Sequence, residues 1–215
     1  MAGILYYVGD PMCSWCWGFQ PVFEQLRGAL PASLIFRTVL GGLAPDSDVP
    51  MDAATRRYVQ GAWDEVEART GARFNRTFWE ECEPRRSTYP ACRAVLAAAV
   101  QDEVPERGAI AGVYGSKMFH AIQRAYYLEA RNPSDLAVLA SLAREVEGLN
   151  AERFEKDLVS AETEDALEAG FRLRRELGVR TFPSLVLVRG GETTPVWRGY
   201  GTAAEVLANT RAVLG

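Results

Sequence analysis

The pattern of hydrophobic residues at the beginning of the chain predicts two strands with a helix between them. Residues 3–8 form a continuous run of apolar and aromatic side chains, which predicts a buried strand. A helical pattern follows from about Ser14 to Leu30, and residues 33–40 predict a second strand. A strand, a helix and a strand in this order predict a βαβ unit with parallel strands.

The middle of the chain keeps the helical period almost throughout. Between Ala53 and about Gly178, apolar residues recur at helical spacing, and short polar breaks interrupt them, including residues 81–90 and 104–108. The last helix of this stretch begins with acidic and ends with basic residues, as the helix dipole favours, and Gly178 is suited to end it. The pattern therefore predicts a helical segment of more than a hundred residues.

Strands return towards the end of the chain. Residues 184–188 and 194–199 predict two strands joined by a tight turn, and a final helix is predicted from about Thr202 to Leu214. A strand pair followed by a helix complements the βαβ unit at the beginning of the chain.

The two ends of the chain are therefore predicted to share one sheet, since neither is large enough to form a core alone. We predict an α/β fold in which residues 1–50 and 178–215 form one discontinuous domain. Residues 51–177 are predicted to form a large all-helical insertion together with its connecting helix.

Composition and charge restrict the kinds of binding partner and the cellular compartment that the sequence predicts. The 215-residue chain carries a net charge of −4, which argues against a nucleic-acid-binding surface. No apolar run approaches the roughly 18 residues of a membrane span. The start of the chain has no basic region and only a short apolar run, unlike a signal peptide. We expect a cytoplasmic protein, where thiols stay reduced, so the four cysteines point to catalysis, redox sensing or metal binding.

Cys13 and Cys16 lie three positions apart, where the first strand gives way to the first helix. A thiol attacks a disulfide only as its thiolate, and a helix N-terminus stabilises that anion. This placement predicts Cys13 as the attacking thiol and Cys16, one turn deeper, as the resolving thiol. Ser14 and Trp15 between them would set the reduction potential and the surface that a partner meets.

Two other interpretations of this cysteine pair are open. The cysteines could pack as small hydrophobic side chains, or they could hold zinc. Zinc would need two more ligands, but Cys82 and Cys92 are separated by nine residues and His120 is the only histidine. That spacing is poor for a zinc site, so redox chemistry is favoured and no metal is predicted.

A second signal lies far along the chain, where Pro183 precedes the strand at residues 184–188. A proline at the start of a strand can be merely positional. In a redox fold, such a proline would be cis and would present the backbone of the preceding residue to an extended substrate. Together with the cysteine pair, the proline predicts that two distant segments meet at one site.

The segments "DPMCSWCWGF" and "GVRTFPSLVLV", with a long helical insertion between them, resemble the DsbA-like branch of the thioredoxin superfamily, and within it the FrnE-like cytosolic members. The resemblance covers essentially the whole chain. It implies a thioredoxin-like fold and dithiol–disulfide exchange with a thiol- or disulfide-containing protein or small molecule. It also implies Cys13 as nucleophile, Cys16 as resolving thiol, and Pro183 as a cis-proline with Phe182 before it.

The same branch contains kappa-class glutathione transferases and 2-hydroxychromene-2-carboxylate isomerases, which use bound glutathione. These enzymes typically have a serine in place of the first cysteine, whereas this chain keeps both cysteines. The resemblance thus favours an oxidoreductase, with glutathione as a possible co-substrate and no other cofactor. A glutathione-dependent transferase or isomerase is the first alternative, and a redox-sensing or metal-binding protein is the second.

The loop between Cys82 and Cys92 carries further candidates. In the DsbA-like branch this segment tends to approach the active site, so the resemblance places Thr88, Tyr89 and Cys92 near Cys13. Cys92 is therefore a candidate substrate contact. Cys82 and Cys92 form either a second redox pair or two independent thiols.

Aromatic and basic side chains supply candidates for substrate binding. Trp15, Trp17 and Phe182 could form an apolar rim that binds hydrophobic substrates, although Trp17 fits the core equally well. Arg85 and Arg86 either hold a glutathione carboxylate or lie on a solvated loop.

Overall fold

The computed structural model describes residues 3–31, 33–102 and 108–215, so most of the predicted break at 104–108 lies outside it. Within these ranges the strands are β1 (Ile4–Gly9), β2 (Ile35–Leu40), β3 (Ala109–Ile110), β4 (Ser184–Arg189) and β5 (Glu192–Arg198). The helices there are α1 (Ser14–Ala29), α2 (Ala53–Thr70), α3 (Phe78–Glu81), α4 (Tyr89–Ala99), α5 (Val113–Leu128), α6 (Leu136–Glu145), α7 (Ala151–Leu158), α8 (Ala161–Glu176) and α9 (Ala203–Leu214).

One five-stranded sheet, in the order β3-β2-β1-β4-β5, joins the two ends of the chain. β1 pairs with β2 in parallel, as the βαβ pattern predicts, and with β4 antiparallel. The predicted mixed α/β fold with a shared sheet is thereby confirmed. β3 is a strand that the sequence analysis does not predict, because two residues are too few to show a period. It pairs with Thr38 and Val39 at the edge of the sheet.

Both faces of the sheet are covered, and alternate residues of β1 serve opposite sides. Leu5 and Tyr7 belong to the main core, where the Tyr7 ring stacks on Phe23 of α1 with 4.4 Å between centroids. Val8 belongs to a second apolar cluster that contains Leu173 of α8. Because both faces are buried, the strand has a continuous apolar sequence rather than an alternating one.

Trp63 of α2, which is almost completely buried, lies at the centre of an aromatic cluster in the middle segment. Five aromatic rings have their centroids within 6 Å of the Trp63 ring, namely Phe74, Phe78, Trp79, Tyr126 and Tyr127. Aromatic pairs at such distances contribute about 1 kcal/mol each beyond the area that they bury. This cluster joins α2, α3 and α5 in one apolar core.

Helix α8 returns the chain from the middle segment to the sheet. The Ser160 hydroxyl accepts a hydrogen bond from the Thr163 N–H at the start of α8, and Gly178, with φ of +69°, follows its end. α8 packs against β2, and the turn after it carries Phe182 to Gly41, directly beyond the end of β2. The segment before β4 is thus held beside the segment after β2.

Candidate active site

Cys13 is the N-cap residue of α1, and Cys16 lies in the first turn of that helix. The Cys13 N–H donates to the carbonyl of Asp10 at 3.1 Å, and the Cys13 carbonyl accepts from the N–H of Trp17 at 3.0 Å. All four cysteines are free thiols. The first-turn N–H groups of α1 lack partners within the helix, so they favour an anionic sulfur at its start.

The two thiols of the pair differ in exposure. Cys13 keeps 6% of its surface exposed and lines an open groove, whereas Cys16 is completely buried. Burial raises the pKa of the Cys16 thiol well above its usual value, and the neighbouring Cys13 acts in the same direction. Cys16 therefore stays protonated, and Cys13 is the sulfur that a disulfide from outside can reach.

The groove beside Cys13 has a volume of about 290 Å³. Ser14, Trp15 and Phe182, which the sequence analysis names as substrate contacts, all line it. Its remaining lining residues come from several parts of the chain and are Met12, Leu43, Tyr58, Val59, Ala62, Trp63, Arg86, Arg180 and Thr181. An open and largely apolar groove beside a sulfur is suited to bind an extended or hydrophobic partner.

Phe182 and Pro183 are joined by a cis peptide bond. The Phe182 ring packs on the backbone at Gly41, where a Cβ atom would lie 2.6 Å from the ring, so a larger residue there would displace it. The Arg174 guanidinium lies 5.9 Å from the Phe182 ring centroid and donates to the Gly41 carbonyl at 2.6 Å. Pro183 itself is buried and does not line the groove. Phe182, the residue before it, lines the groove.

Two basic side chains, Arg86 and Arg180, line the groove. Within the described part of the chain neither guanidinium has a hydrogen bond or an ion pair with another side chain. Arg85, the other candidate for a glutathione carboxylate, is engaged elsewhere, with Nη2 at 2.5 Å from Asp135 and Nη1 at 3.6 Å from Asp48. Of the two arginines for which the sequence leaves a carboxylate contact open, Arg86 lines the groove and Arg85 does not.

Asp10 is a candidate site residue that the sequence analysis misses. Its carboxylate is completely buried and accepts hydrogen bonds from the N–H groups of Met12 (2.8 Å) and Leu43 (2.7 Å) and from the Thr88 hydroxyl (2.8 Å). Burial raises the pKa of Asp10, although the bonds from Leu43 and Met12 act against it. The only signal in the sequence is an aspartate directly after a buried strand, where its side chain can bind turn N–H groups.

Asp10 connects the cysteine turn to the start of α4. The Cys92 thiol lies 3.6 Å from an Asp10 carboxylate oxygen, and burial, followed by the charge of Asp10, raises the pKa of Cys92 well above its usual value. Cys92 is fully buried and does not line the groove, so the structure contradicts its predicted role as a substrate contact. The Cys82 thiol instead donates to the carbonyl of Ala130 at 3.1 Å. Cys82 and Cys92 thus have different partners.

Trp17 does not share the groove with Trp15. Its ring stacks on Tyr127 with 5.6 Å between centroids, and its Nε1 donates to the carbonyl of Arg73 at 3.1 Å. Trp17 therefore has the core role that the sequence analysis leaves open, and the apolar rim consists of Trp15 and Phe182 with the aromatic side chains of α2.

In residues 3–31, 33–102 and 108–215, no group of three or more histidine, cysteine, aspartate or glutamate side chains is placed to hold a metal ion. In the same ranges, no helix has both the length and the apolar character that a membrane crossing needs.

Comparison with known proteins relates the chain to disulfide-handling proteins of similar size. A family model described as Thioredoxin matches residues 6–194. The structure of a candidate protein disulfide isomerase from Nitrosomonas europaea is 30% identical with a TM-score of 0.83, covering 100% of this chain and 98% of that one. The cytosolic disulfide reductase DsbM from Pseudomonas aeruginosa is 26% identical with a TM-score of 0.72, covering 98% of this chain and 96% of that one.

A further relative is named as an adapter protein and not as a disulfide isomerase or reductase. The ClpXP adapter protein SpxH from Bacillus subtilis is 27% identical over 183 residues, which are 84% of this chain and 56% of SpxH. The chain thus spans little more than half the length of that relative.

Proposed function

We propose that this chain, which belongs to the thioredoxin family, is a thiol–disulfide oxidoreductase that exchanges the Cys13–Cys16 dithiol with disulfides of a partner. The observation that carries the proposal is the position of Cys13, which caps a helix and lines an open groove while Cys16 is buried one turn away. Disulfide exchange needs this combination of one accessible thiolate and one shielded thiol.

In the reducing direction, the Cys13 thiolate attacks one sulfur of the substrate disulfide. A bond forms between Cys13 and that sulfur, and the other substrate sulfur leaves as a thiolate. Cys16 then loses its proton and attacks the Cys13 sulfur, which forms the Cys13–Cys16 disulfide and releases the second substrate thiolate. The substrate gains two electrons and the protein loses two; the oxidising direction is the reverse.

The lining of the groove favours a substrate that has both apolar and acidic side chains. Trp15, Tyr58 and Phe182 offer aromatic surface, and Tyr58 is 69% exposed. Arg86 and Arg180 offer positive charge close to the reactive sulfur. We propose a peptide disulfide flanked by apolar and acidic side chains as substrate, and glutathione, a small acidic thiol, as the co-substrate that fits the same groove.

The name of one relative supports a proposal for the compartment and for the direction of electron flow. The similar protein from Pseudomonas aeruginosa is described as a cytosolic disulfide reductase. By that likeness, we propose that this chain works in the cytoplasm and transfers electrons to its substrate.

Trapping of the mixed disulfide tests the proposal. In the Cys16→Ser variant the attack by Cys13 is intact, but resolution is lost, so a covalent complex with a peptide disulfide should accumulate. Mass spectrometry after acid quenching should map that complex to Cys13. Cys82→Ser, the same substitution at a thiol outside the groove, should turn over without accumulation. Attachment of the peptide to another cysteine, or no attachment, would refute the proposal.

A second candidate function is that of an adapter, which the similarity to SpxH favours. An adapter would use the same apolar groove to hold a protein partner without turnover. The two candidates differ in their need for sulfur. A variant with both Cys13→Ser and Cys16→Ser should lose exchange completely, but an adapter would still bind its partner with unchanged affinity.

A further inference from the structure

A second opening reaches the cysteine pair and is separate from the groove. A narrow crevice of about 20 Å³ lies between α1, α5 and the sheet and reaches Cys16. Its lining shares no residue with the lining of the groove at Cys13. A volume of about 10–15 Å³ is sufficient for one water molecule when two to four polar groups face it. Cys16 is therefore shielded from the substrate but has access to a water-sized space.

Polar groups converge in this crevice. Tyr7 and Cys16 both line the crevice, and each raises or lowers the pKa of the other, as neighbouring polar groups do. Gln123 is completely buried, and its Nε2 has no hydrogen-bond partner among the residues that the structure describes. The Gln123 Oε1 lies 3.3 Å from Nδ1 of the partly exposed His120, which also lines the crevice. A buried amide without a partner is unfavourable unless a water molecule meets it.

The proposed reaction requires such a path. Cys16 must lose its proton in the resolving step, when the substrate is attached to Cys13 and occupies the groove. The Asp10 carboxylate accepts hydrogen bonds from Met12, Leu43 and Thr88 and does not line the crevice at Cys16. A proton from Cys16 therefore needs another acceptor.

We propose that Cys16 exchanges its proton with solvent through this crevice, with Tyr7 as hydrogen-bond donor to the Cys16 thiolate and Gln123 as the residue that positions the water. The inference rests on the proposed disulfide exchange. As Cys16 attacks the Cys13 sulfur, its proton passes to the water and leaves past His120, while the substrate sulfur departs through the groove with its electron pair. Tyr7 stays protonated, since burial and the thiols raise its pKa well above its usual value.

The charged and titratable groups around the crevice are few. Tyr7 faces it from β1, Cys16 and Arg27 from α1, and His120 from α5. Glu24 lies 3.7 Å from His120 Nε2 and accompanies it at the surface. The pH dependence of the resolving step should therefore report mainly on Cys16 and on its neighbour Tyr7.

A single-turnover experiment tests the inference with the Tyr7→Phe variant. Reduced protein is mixed with excess peptide disulfide, quenched with acid and resolved by mass into reduced, mixed-disulfide and oxidised forms. We expect the mixed disulfide to form at the wild-type rate and to resolve about tenfold more slowly, since a hydrogen bond to a charged group is worth about one pKa unit or more. The pH profile of resolution should move to higher pH.

Tyr127→Phe is the matched control, because the Tyr127 hydroxyl is also buried but has no partner among the described residues and does not line the crevice. It should resolve at the wild-type rate. Gln123→Leu should also slow resolution, since the water molecule loses the amide that positions it. This second variant tests the path if Tyr7→Phe does not fold.

The outcomes separate this inference from the proposed function. If wild-type protein forms no mixed disulfide at Cys13, the oxidoreductase proposal itself fails. If the mixed disulfide forms but Tyr7→Phe and Gln123→Leu resolve it at the rate of Tyr127→Phe, with an unchanged pH profile, the crevice is not the proton path.

Discussion

Cys13 and Cys92 lie at the starts of two helices, α1 and α4, and both are close to Asp10, yet their surroundings differ. Cys13 lines the groove and touches Asp10 only through the backbone. Cys92 is completely buried, and its thiol faces the Asp10 carboxylate, so burial and a negative neighbour raise its pKa. A helix start alone therefore does not make a thiol reactive; access and the charge of the neighbouring groups decide.

The largest difference in the rate of disulfide reduction should be between the serine variants of these two cysteines. Cys13→Ser should abolish reduction of a peptide disulfide, because the attacking thiolate is lost. Cys92→Ser should keep more than half of the wild-type rate, since Cys92 never meets the substrate. A coupled assay of disulfide reduction with glutathione as electron donor measures both. Equal loss in the two variants would remove the distinction between the thiols.

Asp10→Ala should cause the largest loss of stability. The substitution leaves the N–H groups of Met12 and Leu43 buried without an acceptor, and each such group costs about 1–3 kcal/mol. We expect the free energy of unfolding to fall by about 3 kcal/mol in urea denaturation. Asp64→Ala, which breaks only an exposed ion pair with Arg76, is the control and should change little. A similar effect of the two substitutions would contradict a structural role for Asp10.

The charge on Asp10 should also make stability depend on pH. Burial raises its pKa in the folded chain, so the folded state holds the Asp10 proton more tightly than the unfolded state. The resulting stabilisation is complete below the unfolded-state pKa of about 4 and is lost as pH rises through the folded-state pKa. We expect the difference in unfolding free energy between wild type and Asp10→Asn to fall as pH rises above about 4. A difference that is constant with pH would show that Asp10 does not titrate differently on folding.

The smallest expected effect is a difference in KM between glutamine variants of the two adjacent arginines, Arg85 and Arg86. Arg86→Gln should raise the KM for an acidic peptide disulfide a few-fold, because an exposed ion pair is worth about 0.2–1 kcal/mol, and the effect should fade in high salt. Arg85→Gln should leave KM unchanged, since Arg85 pairs with Asp135 and Asp48 away from the groove. A larger change for Arg85 would place the acidic part of the substrate elsewhere.

Periodic and local features were predictable from the sequence. The strand–helix–strand pattern fixes Cys13 at a helix start, and the return of strands near Pro183 predicts one sheet for both ends. The resemblance to the DsbA-like branch of the thioredoxin superfamily is confirmed by the family match and by the related structures. These features depend on neighbouring residues and on motifs, which a single sequence displays.

Features that depend on packing between distant segments were not predictable. Asp10 and Thr88 meet only because the start of α4 packs over the cysteine turn. The burial of Cys92, which keeps it out of the groove, depends on the same packing. The Tyr7–Gln123 crevice joins β1 to α5, which no local pattern relates.

The proposed function requires that Cys13 and Cys16 interconvert between dithiol and disulfide. The direct measurement is a redox titration in glutathione buffers of graded potential, with acid quenching, alkylation under denaturing conditions and peptide mapping. We predict that Cys13 and Cys16 lose alkylation together in one two-electron transition, with about 30 mV for each tenfold change in their ratio, while Cys82 and Cys92 remain alkylated throughout. If Cys13 and Cys16 stay reduced at every potential, or another pair oxidises in their place, the account is wrong.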